Sequence, residues 1–262
     1  MNSATNAQPR PPSRRTFWKE SRALVDLATM PGPLLAAGLR KREGPSPMRV
    51  VTVPGFGADD WSMLPLRRFL KSRGFQSEGW GLGRNLGGLD LKHELSDLSE
   101  RWDFIPRDNY QGEGGVPYLC DRLFERLVEQ YGDSDQPIAL VGWSLGGFLA
   151  REAARDLPDL VDRVITLGSP IVGGPKYTAT AERFRSLGQD LDWIEDEIAR
   201  RESKPIQQPI TCIYSKSDAI VDWRAAIDRY SSDVNHIEVN VAHLGFAFNS
   251  RVWRHVEDAL RA

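Results

Sequence analysis

Gly142-Trp143-Ser144-Leu145-Gly146 sets a serine between glycines two positions before and after it. The pentapeptide follows the apolar run Ile138–Val141 directly and opens the helical pattern Leu145–Leu157 directly. A strand that turns at once into a helix holds the intervening serine on a strained, exposed corner, where side chains two residues either side would collide. Ser144 is therefore a candidate nucleophile, with Gly142 and Gly146 as the glycines its corner requires. The bland reading is a glycine-rich turn with a capping serine, and the strand-to-helix context weighs against it.

A serine hydroxyl attacks only when a base removes its proton, and the base is oriented by a carboxylate. Sites of this kind supply the acid and then the histidine after the serine in chain order. The chain has four histidines. His93 precedes the serine, and His255 falls inside the helical pattern Arg251–Leu260. His236 is expected just before a last strand over Ile237–Val241, and His243 just after it. The carboxyl ends of parallel strands are where ligands bind, so His243 is the favoured base. For the acid, Asp218 directly follows a strand read over Thr211–Tyr214, and Asp222 lies four residues on. Asp218 is preferred, although either could be a plain helix N-cap. Acyl transfer also needs donors for the developing oxyanion. The backbone N–H of Leu145 is one candidate. The N–H of Phe56, in the turn Pro54-Gly55-Phe56-Gly57, is the other.

These residues need a scaffold. Strands are expected over Arg49–Val53, Phe75–Trp80, Ile138–Val141, Val161–Leu167, Thr211–Tyr214 and Ile237–Val241. Helical patterns at Leu64–Lys71, Tyr118–Tyr131, Leu145–Leu157 and Arg251–Leu260 alternate with them. That alternation implies an α/β fold with a mainly parallel sheet of about six strands flanked by helices. Residues 175–208 break the rhythm. Phe184, Leu187, Leu191, Ile194 and Ile198 step by 3, 4, 3 and 4, which predicts one helix with an apolar stripe, inserted as a cap over the sheet. Gly81-Leu82-Gly83-Arg84-Asn85-Leu86-Gly87 reads as a loop rather than a nucleotide cradle.

The 262 residues suit one domain over 48–262, preceded by an extension, 1–47. That extension holds eight basic and three acidic side chains. The remainder carries 26 basic and 33 acidic, for a chain net of −2. This balance argues against a nucleic-acid partner. Residues 1–15 read as a disordered arm and 17–40 as two short helices, suited to packing on the core or touching a membrane surface. Arg14-Arg15 resembles a twin-arginine signal, but Glu20, Arg22 and Asp26 interrupt what should be an apolar stretch. A cytoplasmic location is the expectation. Cys120 and Cys212 read as buried free thiols. No spacing suggests a metal, and no cofactor is expected.

The stretches Val53–Gly57, Gly79–Asn85, Gly142–Gly147, Ile165–Pro170, Tyr214–Asp218 and Ala242–Gly245 together resemble bacterial α/β-hydrolases of the lipase and esterase kind. The resemblance spans 48–262. It implies the α/β-hydrolase fold, Ser144, Asp218 and His243 as a triad, Phe56 and Leu145 at the oxyanion site, and a small ester or lipid-like substrate. The chain departs from many lipases in having Pro54-Gly55 in place of His-Gly and Trp143 in place of a histidine. Acyl transfer to an alcohol or amine would use the same triad, and a non-catalytic binding module on the same fold would need none of it.

Overall fold

Ile138–Trp143 has no charged residue along its length, and a strand of that kind has to be covered on both faces. A computed structural model describes residues 8–12, 20–21, 48–104 and 110–262. Its strands are β1 (Arg49–Val53), β2 (Gln76–Gly79), β3 (Ile138–Trp143), β4 (Val161–Leu167), β5 (Ile210–Ser215) and β6 (Val234–Val239). They form one sheet in the order β2-β1-β3-β4-β5-β6, with every pairing parallel. β3 is central and buried at every residue. The edge strands β2 and β6 carry Glu78, Asn235 and Glu238, polar sequences that discourage further strand addition.

The helices among the described residues are α1 (Leu64–Ser72), α2 (Gly115–Tyr131), α3 (Leu145–Asp156), α4 (Ala181–Ser186), α5 (Leu191–Arg201) and α6 (Ser250–Arg261). Successive strand side chains point to opposite faces, and this divides the core in two. Ile138 and Leu140 join Val51 and Val53 against α2 and α3, through Leu123, Phe124, Leu149 and Ala153. Ala139 and Val141 join Val50, Ile165 and Leu167 against α1 and α6, through Leu66, Leu70, Trp253 and Val256. Cys120 and Cys212 are free and buried, and burial pushes the Cys212 thiol up to about 11. Among the described residues no helix is long and apolar enough to cross a membrane.

Because all strands are parallel, their carboxyl ends share one edge. Val53 pairs with Gly142, Trp143 with Leu167, and Ser215 with Val239. The turns leaving that edge after β1, β3, β5 and β6 contain Phe56, Ser144, Asp218 and His243.

Three expectations are corrected. β6 starts at Val234, so His236 lies within the strand, opposite Cys212, rather than before it. An exposed edge strand shows no clean alternation from which to read its start. The stripe in 175–208 falls on two helices, α4 and α5. Gly188, at φ +86°, follows α4, and the Asp190 side chain then accepts from the N–H groups of Asp192 and Trp193 to begin α5. Leu187 is left 51% exposed and Leu191 is buried in the fold. Of the expected disordered arm, residues 8–12 are described, with Pro9 buried and the Arg10 N–H donating to Asp222 at 2.6 Å. The twin-arginine-like stretch and the two helices expected over 17–40 lie outside the described residues, Glu20 and Ser21 excepted.

Candidate active site

Ser144 sits between β3 and α3 at φ 54°, ψ −125°. Among the described residues it is the one non-glycine with positive φ. Such a backbone costs on the order of 1–3 kcal/mol and persists only where the surroundings impose it. They do so here by close approach. A Cβ on Gly142 would run into the carbonyl of Gly146, and one on Gly146 into the carbonyl of Val53. The Ser144 N–H donates to the Leu167 carbonyl at 2.9 Å, fixing the corner to β4. Its side chain does not cap α3.

Asp218 and His243 meet across the ends of β5 and β6. His243 Nδ1 lies 2.7 Å from Asp218 Oδ2, and both side chains are almost wholly buried. A carboxylate only accepts, so Nδ1 carries the proton in this bond and Nε2 is left to face other partners. Asp218 Oδ1 accepts from the N–H groups of Ile220 and Val221, both at 2.8 Å, which fixes the orientation of the carboxylate. Asp222 is engaged elsewhere. It caps the 3₁₀ turn Trp223–Ala226 through the Arg224 N–H and receives the Arg10 N–H. The other histidines have other surroundings. His93 bonds Tyr110 and the Leu91 carbonyl, His236 is on β6, and His255 is on α6.

Ser144 and His243 line one cavity of about 300 Å³, and Phe56 and Leu145 line it beside them. The Leu145 N–H is first in α3 and has no acceptor one turn back. The rest of the wall is mostly apolar, including Phe148 from α3, Phe184 from α4, and Trp193, Ile194 and Ile198 from α5. Phe184 meets Phe56 edge-on at 5.7 Å. Arg201 also reaches the wall, but its charge is committed to Glu152 and Asp156, and its guanidinium stacks on Trp102 at 4.3 Å. Among the described residues no cluster of ligand-type side chains could hold a metal ion.

Comparison with known proteins agrees with this arrangement. The family described as alpha/beta hydrolase fold matches residues 120–188, which span β3, Ser144, α3 and β4. A lipase of Bacillus licheniformis superposes with a TM-score of 0.54 at 14% identity, over 84% of this chain and 96% of its own. The chain has the α/β-hydrolase fold. A Pyrococcus furiosus esterase shares the same fold, with a TM-score of 0.51 at 15% identity, over 82% of this chain and 83% of its own. In sequence, the chain is similar to a pimeloyl-[acyl-carrier protein] methyl ester esterase of Aliivibrio fischeri. The two are 26% identical over 186 residues, covering 60% of this chain and 70% of the relative.

Two further residues hold the site, and neither was singled out for that role by the sequence. Asn85 is fully buried beneath the turn after β1. Its Nδ2 donates to the Pro54 carbonyl at 2.7 Å, its N–H to Ala58, and its own carbonyl accepts from Gly57 at 2.6 Å. Trp143 donates from Nε1 to the His243 carbonyl at 3.2 Å, with its ring centred 5.8 Å from the imidazole. The histidine common at this position in lipases is thus replaced by a group that braces the His243 turn. Asn85 gave no usable signal, since it belongs to a loop whose partner turn is about thirty residues earlier.

Proposed function

We propose that this chain is a serine hydrolase of carboxylic esters that carry an apolar acyl group. The observation that carries the reading is the buried Asp218–His243 hydrogen bond, whose histidine lines the same cavity as the strained Ser144. In this reading Ser144 Oγ attacks the acyl carbon while His243 Nε2 takes its proton. Asp218 keeps the Nδ1 proton in place and offsets the imidazolium charge. The N–H groups of Phe56 and Leu145 donate to the oxyanion. His243 then returns the proton to the departing alkoxide. Water, deprotonated by His243, attacks the acyl-enzyme and releases the acid. Helices α4 and α5 act as a cap over the acyl site. Their contribution is Phe184, Trp193, Ile194 and Ile198, together with Arg201 and Glu197, whose charges are matched by Glu152 and Asp156 and by Arg200, so an uncharged chain fits better than a charged one. The methyl ester esterase named among the relatives supports the same bond type.

The test is a series of p-nitrophenyl esters of increasing acyl length. Each methylene buried contributes about 0.8 kcal/mol, so kcat/KM should rise about fourfold per carbon until the cavity is full. Ser144→Ala should abolish turnover and labelling by a fluorophosphonate probe while leaving the melting temperature in place. Equal labelling of both proteins would end this assignment.

A further inference from the structure

The turn that carries His243 has no cap of its own. It is the 3₁₀ segment His243–Ala247, preceded by Ala242, whose side chain cannot accept a hydrogen bond. The first N–H groups of a helical turn have no acceptor within it, and exposing or orphaning them loosens the turn. The acceptor comes from outside the hydrolase domain. Glu20 Oε1 accepts the His243 N–H at 3.1 Å, and Oε2 accepts the Leu244 N–H at 3.1 Å. Oε1 also accepts the N–H of Ala219, next to Asp218, at 3.1 Å. Glu20 is 6% exposed. One buried carboxylate therefore joins the loop of the acid to the turn of the histidine, from opposite ends of the chain.

A second contact from the same extension reaches the same loop. The Arg10 N–H donates to Asp222, which caps the turn following Asp218. Residues 8–12 and Glu20 thus engage the β5 loop at two points, although they precede the stretch that resembles other α/β-hydrolases. We propose that Glu20 is a positioning residue for the His243–Asp218 pair, supplied by the N-terminal extension of the same chain. It acts through the backbone. It sets where the imidazole sits relative to Ser144 and contacts no reacting atom. This rests on the roles proposed above for Ser144, Asp218 and His243.

The decisive variant in the full chain is Glu20→Gln, which preserves shape and one acceptor but turns an amide donor toward a backbone N–H. A misplacement of about 1 Å can cost on the order of 100-fold in rate. We expect kcat to fall about 10- to 100-fold, with KM within about twofold, assayed well below the melting transition. Fluorophosphonate labelling of Ser144 should slow in parallel. Acetate added to Glu20→Ala should restore part of the lost kcat by refilling the carboxylate site. Two readouts do not depend on turnover. In a Ser144→Ala background, the strongly deshielded His243 Nδ1 proton should be visible by NMR and should broaden or vanish when Glu20→Gln is added. In the wild type, the amides of Ala219, His243 and Leu244 should resist hydrogen exchange, although Leu244 is 45% exposed. Wild-type kcat in Glu20→Gln, with or without a lower melting temperature, would overturn the proposal, as would an unchanged proton signal or rapid exchange of those amides. Should Ser144→Ala remain active, the hydrolase reading falls, while the exchange and NMR results still judge the Glu20 clamp.

Discussion

Asp218 shows how two backbone bonds can make a conservative change severe. Oδ1 is held by the N–H groups of Ile220 and Val221, and only Oδ2 faces His243. In Asp218→Asn the amide oxygen must stay with those two donors, which turns the NH₂ group toward Nδ1. The imidazole then accepts at Nδ1 and carries its proton on Nε2, where it cannot act as base. We expect kcat to fall by about 10⁴ with the melting temperature little changed. Asp222→Asn should lose less than tenfold, because its one remaining oxygen can still cap the turn through the Arg224 N–H, and the contact given up, to the Arg10 N–H, involves neither His243 nor Ser144. A steady-state comparison of the two variants separates the roles. Asn85→Ala belongs to the same scale. It removes a buried side chain that bonds the Pro54 carbonyl and the Gly87 N–H. Leaving those groups unpaired should cost about 1–3 kcal/mol. The larger effect should be on kcat, since the Phe56 turn loses its support.

At the scale of elements, the segment between β4 and β5 has two unequal helices. α5 is anchored: its Arg201 binds Glu152 and Asp156 of α3, both nearly inaccessible to solvent. α4 has six residues, and among them only Ala181 is buried. If the segment opens to admit substrate, α4 and the turn after it are the part free to move, and α5 is the wall they move against. Hydrogen exchange should therefore be faster across Ala181–Ser186 than across Leu191–Arg201. Phe184→Ala should flatten the dependence of kcat/KM on acyl length, because it opens the cavity beside Phe56. Leu187→Ser should leave both that profile and stability unchanged, since Leu187 lies outside the cavity lining and is half exposed. A profile altered by Leu187→Ser instead would mean that α4 and α5 rearrange when substrate binds.

Across the whole molecule, a buried ion-pair network holds the sheet helices to the insertion. Arg151 of α3, fully buried, bonds Asp228 at 2.8 Å and Glu202 at 3.2 Å, and Arg155 lies 3.0 Å from Glu202. Burial opposes ionisation of Asp228. Arg151 and the N–H groups of Tyr230 and Ser231 outweigh it and hold this carboxyl below the usual range. Removing one partner of such a pair leaves the other charge buried and alone. Arg151→Met should therefore cost about 3–5 kcal/mol, and Asp228→Leu added to it should recover part of the loss. The sign of the acid dependence follows from the lowered Asp228 value. Its contribution is complete above the unfolded carboxylate range of about 3.9 and disappears as pH falls below that through the folded value. The melting-temperature gap between wild type and Asp228→Asn should stay constant from pH 7 to about 5 and narrow only below about 4.

The amino-acid sequence determined the central strand, the corner at Ser144 and the alternation of strands with helices, because these depend on local patterns. An apolar run, two glycines and a following helix sit within a few residues of each other, and period-two alternation sends Ile138 and Ala139 to opposite cores. It also singled out His243 and Asp218, since each directly follows a strand and parallel strands deliver such positions to one edge. Tertiary structure decided what depends on distant partners. The start of β6 was set by pairing with β5 and not by its own polar residues. The break at Gly188 came from a backbone conformation that 3-and-4 spacing does not reveal. Asn85 beneath Pro54, Trp143 against the His243 carbonyl, and Glu20 across both loops all join groups far apart in the chain. Their partners are backbone atoms, which every residue has, so no pattern of side chains announces them.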